Sequence, residues 1–406
     1  MAASPDGKVR ISRMATALLL LIYLAFISLG IPDSLFGAAW PAMGEELGTV
    51  LSAGGLVTSL ISGATIVSSL CSGKILGRFG TGAVTMVSVA LTALSLLGFS
   101  LAPGFVWLCL LAVPLGLGAG CVDSGLNNYV ALHYSANQMN LLHGFYGIGV
   151  SLSPYLMSLA LEWGSWRQGY GIMAALQGAI GLLLLVTLPL WKRVGQDAGA
   201  QEAETKPVPV SRLFRMPGFI AGLLAFAGSC GLEYTAGIWG STYLVAGRGC
   251  SPEAGARGIT LYYIGMTAGR MLSGFLAGRL GSRRLVRWGQ GLAGLGAAFL
   301  LLPLPGWAAV VGLFWIGFGN GPVFPNLLHL TPRHFGRAAS QSAMGVQMAS
   351  SYLAITLLPP LGGLLIQSLG SWALPGYLLS LFGLMGLCTG VVFARAHGCD
   401  TGAEME

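Results

Sequence analysis

Three carboxylates stand in stretches that are otherwise apolar: Asp33 in GIPDSLFGAAWP, Asp123 in GCVDSGLNNYVALH and Glu233 in GLEYTAGIWGSTY. A charge deep in a bilayer costs roughly 2.5–3.5 kcal/mol on insertion scales, so such residues are rare unless they face a cavity and do a job there. The plainer reading of each acid is a buried hydrogen bond that pins two helices. A carboxyl group that takes up a proton loses most of its cost in a dry site, which suits it to coupling cation movement to another event. Asn127 lies four residues after Asp123, one turn along the same helical face. The next apolar run opens with NLLHGFYGIG, which sets Asn140, His143 and Gly147 on one stripe with Tyr146 beside it. A carboxylate, amides, an imidazole and a phenol suit a polyhydroxylated solute, because hydroxyls both donate and accept. Asn140 also reads as a helix cap, and His143 as a packing residue. A later run carries Asn320, Asn326 and His329 in place of an acid.

These residues sit in a chain that is not built for water. Of 406 residues only 9% are charged and 54% are hydrophobic, and the mean hydropathy is +0.73. A soluble domain carries about 25% charge. Apolar runs of about 20 residues, enough to cross a hydrocarbon core as a helix, recur at 15–42, 51–72, 83–103, 106–132, 141–162, 169–191, 217–245, 257–278, 285–303, 307–330, 339–367 and 373–395. The short alternating segments of a membrane barrel are missing. The 63 glycines read as close helix packing. The seven cysteines (71, 109, 121, 230, 250, 388 and 399) read mostly as small packing residues without a disulfide framework. The start MAASPDGKVRISRM is polar and basic, and no cleavable signal is read there.

The net charge of +7 does not point to nucleic acid, because Lys and Arg cluster in short loops. Lys8, Arg10 and Arg13, then Lys74 and Arg78, Lys192, Arg193, Lys206, Arg212 and Arg215, then Arg279, Arg283, Arg284 and Arg287, and Arg333 and Arg337 all fall on one side if both termini are cytoplasmic. The other side holds only Arg167, Arg248 and Arg257. Trp163, Trp166 and Tyr170, and likewise Trp372 and Tyr377, bracket outer loops and read as interfacial anchors. Arg270 lies nine residues before Arg279, about 13 Å deeper along an ideal helix, where an ion pair or gate is expected, the alternative being that it snorkels to the cytoplasmic face.

The polar stretch from Lys192 to Met216 divides the chain into residues 1–191 and 217–406. The halves align at an offset of about 201 residues: Gly73-Lys-Ile-Leu-Gly77-Arg78-Phe-Gly80 with Gly274-Phe-Leu-Ala-Gly278-Arg279-Leu-Gly281, Gly116-Leu-Gly118-Ala-Gly120 with Gly317-Phe-Gly319-Asn-Gly321, Gly30 with Gly231, and Gly144 with Gly345. Parallel halves of six spans, with the substrate near the midplane, are a known transporter plan. The repeated Gly-x-x-x-(Asp)-Arg-x-Gly pattern resembles the loop signature of the major facilitator superfamily, with Gly77 and Gly278 where that family often has Asp. The resemblance covers the whole chain. It implies an all-α membrane protein of twelve transmembrane helices in two six-helix pseudo-symmetric bundles, with spans 1, 4, 7 and 10 lining a central cavity. It also implies that Gly73, Arg78, Gly274 and Arg279 serve gating or structure, as Arg270 does.

Within that superfamily the span 4–5 stretch is similar to the fucose–galactose–glucose:proton symporters. Those have an acid, an Asn four residues later, and Asn-x-x-polar-x-Phe-x-x-x-Gly opening span 5; here these are Asp123, Asn127 and Asn140-Leu-Leu-His143-Gly-Phe145-Tyr-Gly-Ile-Gly149. Glu233 lies in a span 7 pattern like that of the glucose-type members. By this resemblance Asp33, Asp123 and Glu233 serve proton coupling. Asp123, Asn127, His143, Tyr146, Glu233, Trp239, Tyr243, Asn320 and Asn326 contact a sugar or similar small polar solute. The expected protein is a monomeric, proton-coupled symporter of the inner (plasma) membrane. It works by alternating access and needs no cofactor or metal. The competing reading is an exporter or drug:proton antiporter of the same fold. Ser153-Pro154-Tyr-Leu-Met lacks the glycines of the usual antiporter element, but Pro359-Pro360-Leu-Gly362-Gly363 partly echoes it. An enzyme is not expected, since no nucleotide loop or metal-spaced cluster is found.

Overall fold

The structure, a computed structural model, describes residues 5–49, 53–191, 208–250 and 252–400. Among the described residues the regular elements are helices, with no strand. In order they are α1 (Pro5–Glu46), α2 (Gly54–Phe79), α3 (Thr81–Leu101), α4 (Phe105–His133), α5 (Ala136–Trp163) and α6 (Trp166–Val186). A short turn of helix, Val210–Leu213, leads into α7 (Phe219–Gly247), which widens to a π-helix over Tyr243–Gly247. Then come α8 (Pro252–Leu280), α9 (Ser282–Phe299), α10 (Gly306–Phe335), α11 (Arg337–Leu369) and α12 (Ala373–Asp400). Ten of these are long and apolar enough to cross a membrane. The helices at the eighth and ninth expected spans form, but are more polar, because α8 carries Arg257, Arg270 and Arg279 and α9 carries Arg283, Arg284 and Arg287. Helix α10 is interrupted between Asn320 and Val323, where Pro322 lacks the N–H that would continue the ladder. The stretch expected to span at 307–330 still forms one apolar crossing, Gly306–Phe335.

The repeat seen in sequence is reproduced in packing. Gly80 ends α2 and Gly281 ends α8, each with φ of 77°, a turn that a side chain would strain. Gly116 lies so close to α2 that a Cβ would collide with the Ile61 carbonyl, and Gly317 lies equally close to the Tyr262 carbonyl on α8. Gly120 meets Thr65 in the same way, and Gly321 meets Met266. The contact partners keep the same offset as the glycines. The sequence periodicity therefore encodes one helix-pair geometry used twice, with small residues letting backbones approach.

The chain forms two compact units, Met1–Leu126 with Phe145–Pro207 and Asn127–Gly144 with Val208–Glu406. This differs from a division at the central polar stretch, whose residues 192–207 lie outside the described ones. The tip of the α4–α5 hairpin belongs with the second unit, where Ala136 packs with Ala277 and Leu285. In the first unit a core of Phe36, Trp40, Phe99, Trp166 and Tyr170 closes one end of the bundle. Trp166 and Tyr170 are each 1% exposed, so they are core residues rather than interfacial anchors. The side chain of Trp163 lies outside the described residues. Among the described residues no cysteine forms a disulfide, and the side chain of Cys399 lies outside the described residues.

Candidate functional site

In the first unit α1 and α5 run in close contact. Side chains on Gly30 or Gly149 would collide with the facing backbone at Tyr146 and Ile27. Ser34 Oγ donates to the Val150 carbonyl at 2.6 Å and lies 2.8 Å from Ser153 Oγ. This fixed register brings the Tyr146 hydroxyl onto Asp33 Oδ2, to which it donates a hydrogen bond. Asp33 keeps solvent-accessible surface, and among the described residues no cation pairs with it. Asp123 on α4 is buried, 9% exposed.

The second unit holds most of the other expected site residues. Arg270 Nη2 lies 3.0 and 3.1 Å from the two carboxylate oxygens of Glu233, with both side chains only slightly exposed. Arg270 Nε donates to the Gly321 carbonyl at 3.3 Å, at the break in α10. Tyr262 donates to the Glu233 main-chain carbonyl at 2.8 Å. One guanidinium thus ties α7, α8 and α10 together. Its charge offsets that of Glu233 among apolar helices.

His143 Nε2 lies 3.1 Å from Asn127 Oδ1, and its ring meets Phe324 edge-on at 5.3 Å. Asn326 Nδ2 reaches Ser273 Oγ at 2.9 Å, the Pro322 carbonyl at 2.8 Å and Asn140 Oδ1 at 3.3 Å. This joins the start of α5 to α8 and α10. Gly274 and Gly278 lie beside the same hairpin tip, where a Cβ would meet Leu141 at 3.5 Å and Asn137 Oδ1 at 3.4 Å. Gly73 is buried on α2. Arg78 lies over the Phe79 ring, and Arg279 is exposed in the last turn of α8.

Three expected solute contacts are committed to the protein itself. Tyr243 is fully buried; its hydroxyl donates to the Leu300 carbonyl at 2.6 Å and accepts from Arg248 Nε at 2.8 Å. In this structure these bonds close the end of the bundle, and no part of the ring faces open space. Asn320 pairs twice with Ser229, at 3.0 and 3.1 Å, and is likewise structural. Trp239 gives its N–H to the Pro359 carbonyl at 2.7 Å and lies against Gly363, leaving only its ring for any solute. The sequence reading missed Ser273 and Tyr262, whose polar atoms touch Asn326 and Glu233. Ser273 adjoins the flagged Gly274, and that proximity was the available signal.

With this geometry in view, the comparisons with known proteins agree on one fold. Residues 22–355 and 252–398 match the Major Facilitator Superfamily. "Bypass of stop codon protein 6" of Saccharomyces cerevisiae is 23% identical, over 87% of this chain and 77% of its own length. The solved proton:xylose symporter XylE superposes with a TM-score of 0.76 at 13% identity, covering 93% of this chain and 95% of its own. The E. coli fucose:proton symporter FucP does so with 0.69 at 15% identity, covering 94% and 98%.

Proposed function

The chain belongs to the Major Facilitator Superfamily, and from that premise we propose that it is a proton-coupled symporter of a sugar or similar small polar solute, working by alternating access. The observation that carries this reading is the contrast between two membrane acids. Glu233 has a guanidinium beside it, so its charge has a partner within the protein. Asp33 has a phenol and, among the described residues, no cation. An uncompensated carboxylate in an apolar bundle is the one whose neutralisation by a proton gains most. Asp33 is therefore the first candidate for the coupled proton, Asp123 the second, and Glu233 a fixed charge.

The solute class rests on the sequence pattern, in which Asp123, Asn127, His143 and Tyr146 offer both donors and acceptors, and is in keeping with the sugar:proton symporters that share the fold. The basic loops support a plasma-membrane protein with both termini cytoplasmic; we take it to act as a monomer. Proteoliposomes containing the purified protein, offered labelled hexoses and pentoses in counterflow, test the solute claim: exchange of at least one sugar is expected, and exchange of none rejects it. Asp33→Asn should abolish accumulation driven by a proton gradient while leaving exchange. Normal accumulation by that variant removes Asp33 from coupling.

A further inference from the structure

We propose that the second unit carries a binding site for one anionic phospholipid, held by Arg215 and Arg395 where α7 begins and α12 ends. The two helices bound a groove of about 380 Å³. The main-chain turn Met216–Gly218 lines it. Gly218 has φ of 80°, and a Cβ there would lie 3.7 Å from Val392 Cα and 3.8 Å from Arg395 Cδ. A side chain at that position would fill the cradle as well as strain the backbone. Arg215 enters from one wall and Arg395 from the other. Both are exposed, and among the described residues neither makes an ion pair. Among the described residues no acidic side chain lines the groove.

The remaining walls are apolar and face outward: Ile220 is 53% exposed and Val391 41%. Exposed Leu224 and Leu387 continue this surface along α7 and α12, toward the bilayer interior. Two guanidiniums above an apolar track match the chemistry of a phosphodiester headgroup with acyl chains beneath it. A guanidinium pair binds phosphate oxygens through several N–H donors at once, and a basic pocket at the helix ends is where anionic headgroups are held. A zwitterionic headgroup fits less well, because its ammonium would lie beside two cations. The groove lies at the arginine-rich end of the helices, the cytoplasmic leaflet on the positive-inside reading. The inference does not depend on which solute is carried.

Native mass spectrometry of the full-length protein, loaded with phosphatidylglycerol or phosphatidylcholine, tests it. One phosphatidylglycerol should be retained preferentially, at least tenfold over phosphatidylcholine. Arg215→Gln and Arg395→Gln should each weaken retention about fivefold, the scale of one basic residue near an anionic surface. Arg284→Gln, at an exposed arginine outside the groove, should leave it unchanged. Equal retention of both lipids overturns the proposal. So does an equal loss in Arg284→Gln, which would mean diffuse attraction without a site. Displacement by millimolar glycerol 3-phosphate also overturns it, because the headgroup alone would then be the ligand.

Discussion

The guanidinium of Arg248 lies 4.2 Å from the ring centre of Trp372, and every other bond it makes closes the same end of the second unit. Its Nε donates to Tyr243 at 2.8 Å, and its terminal nitrogens donate to the carbonyls of Leu300, Leu302 and Leu304 at 2.5, 2.6 and 2.9 Å. The first unit repeats the device with different residues. Arg167 lies 4.2 Å over Trp166, donates to the Ala102 carbonyl at 2.6 Å and pairs with Glu46 at 2.9 Å. Two of the three arginines assigned to the outer side by charge counting are thus clasps that join a helix end, a loop and an indole. Both satisfy carbonyls left open where helices end.

Arg248→Ala should therefore lower the melting temperature of the purified protein more than Arg167→Ala. The first loses several bonds to carbonyls at partly buried helix ends, on the order of 3 kcal/mol. The second loses fewer, and its ion pair with Glu46 is partly exposed and worth about 0–1 kcal/mol. Arg248→Lys should rescue little, since an ammonium has no planar fork to serve several carbonyls and an indole at once. Thermal melts of the three variants in one detergent check the order; a lysine variant as stable as the parent would count against the fork geometry.

The Glu233–Arg270 pair predicts a non-additive pattern. Removing Arg270 alone strands a carboxylate among apolar helices and should cost on the order of 3 kcal/mol, while replacing both residues with Gln should cost less than the worse single change. A double-mutant cycle read by thermal melting, with transport measured beside it, decides this. Additive losses would mean that the two charges do not depend on each other.

Much of this architecture was legible in the sequence because its signals are local. Apolar runs mark the spans, and glycines at a constant offset mark the repeat, since Gly116 and Gly317 are needed for the same backbone approach. Asp33, Tyr146, Glu233 and Arg270 were also singled out as polar residues in apolar runs. Which of them pair was not legible. Arg270 is 37 residues from Glu233 and Tyr146 is 113 from Asp33, and separation along the chain says nothing about which faces meet. Aromatic residues near loops misled in the opposite direction. Trp166 and Tyr243 look like membrane anchors or solute contacts in the sequence, but distant partners bury both: Trp166 donates to Glu46 and Tyr243 to the Leu300 carbonyl. The interruption of α10 had a local sign in Gly321-Pro322, outweighed by the apolar residues on either side.

The Tyr146–Asp33 bond separates coupling from solute binding. Tyr146→Phe removes one hydrogen bond to a carboxylate, worth about 1.5–3 kcal/mol, and keeps the ring. If the phenol serves the proton step, gradient-driven accumulation should fall at least tenfold while counterflow exchange is largely kept. A loss confined to apparent affinity for the solute would reassign Tyr146 to solute binding.

Asn326 predicts how the α4–α5 tip is held on α8 and α10. Its amide nitrogen faces three acceptors, Ser273 Oγ, Asn140 Oδ1 and the Pro322 carbonyl, in a site with no exposure. Asn326→Asp replaces that shared donor with an anion of nearly the same shape, so acceptor meets acceptor where attraction was. Asn326→Leu removes the donor without adding a charge and leaves Asn140 with one fewer partner. If this cluster latches the hairpin tip, amide hydrogen exchange over residues 127–144 should speed up in both variants, about tenfold or more in the aspartate and less in the leucine, since losing one buried bond costs about 1–3 kcal/mol. Exchange in α12, which does not touch the cluster, should stay at the parent rate. Uniform acceleration across the second unit would instead make Asn326 a general stabiliser of the bundle, and unchanged exchange at the tip would leave its contacts with Gly274 and Gly278 as what holds it.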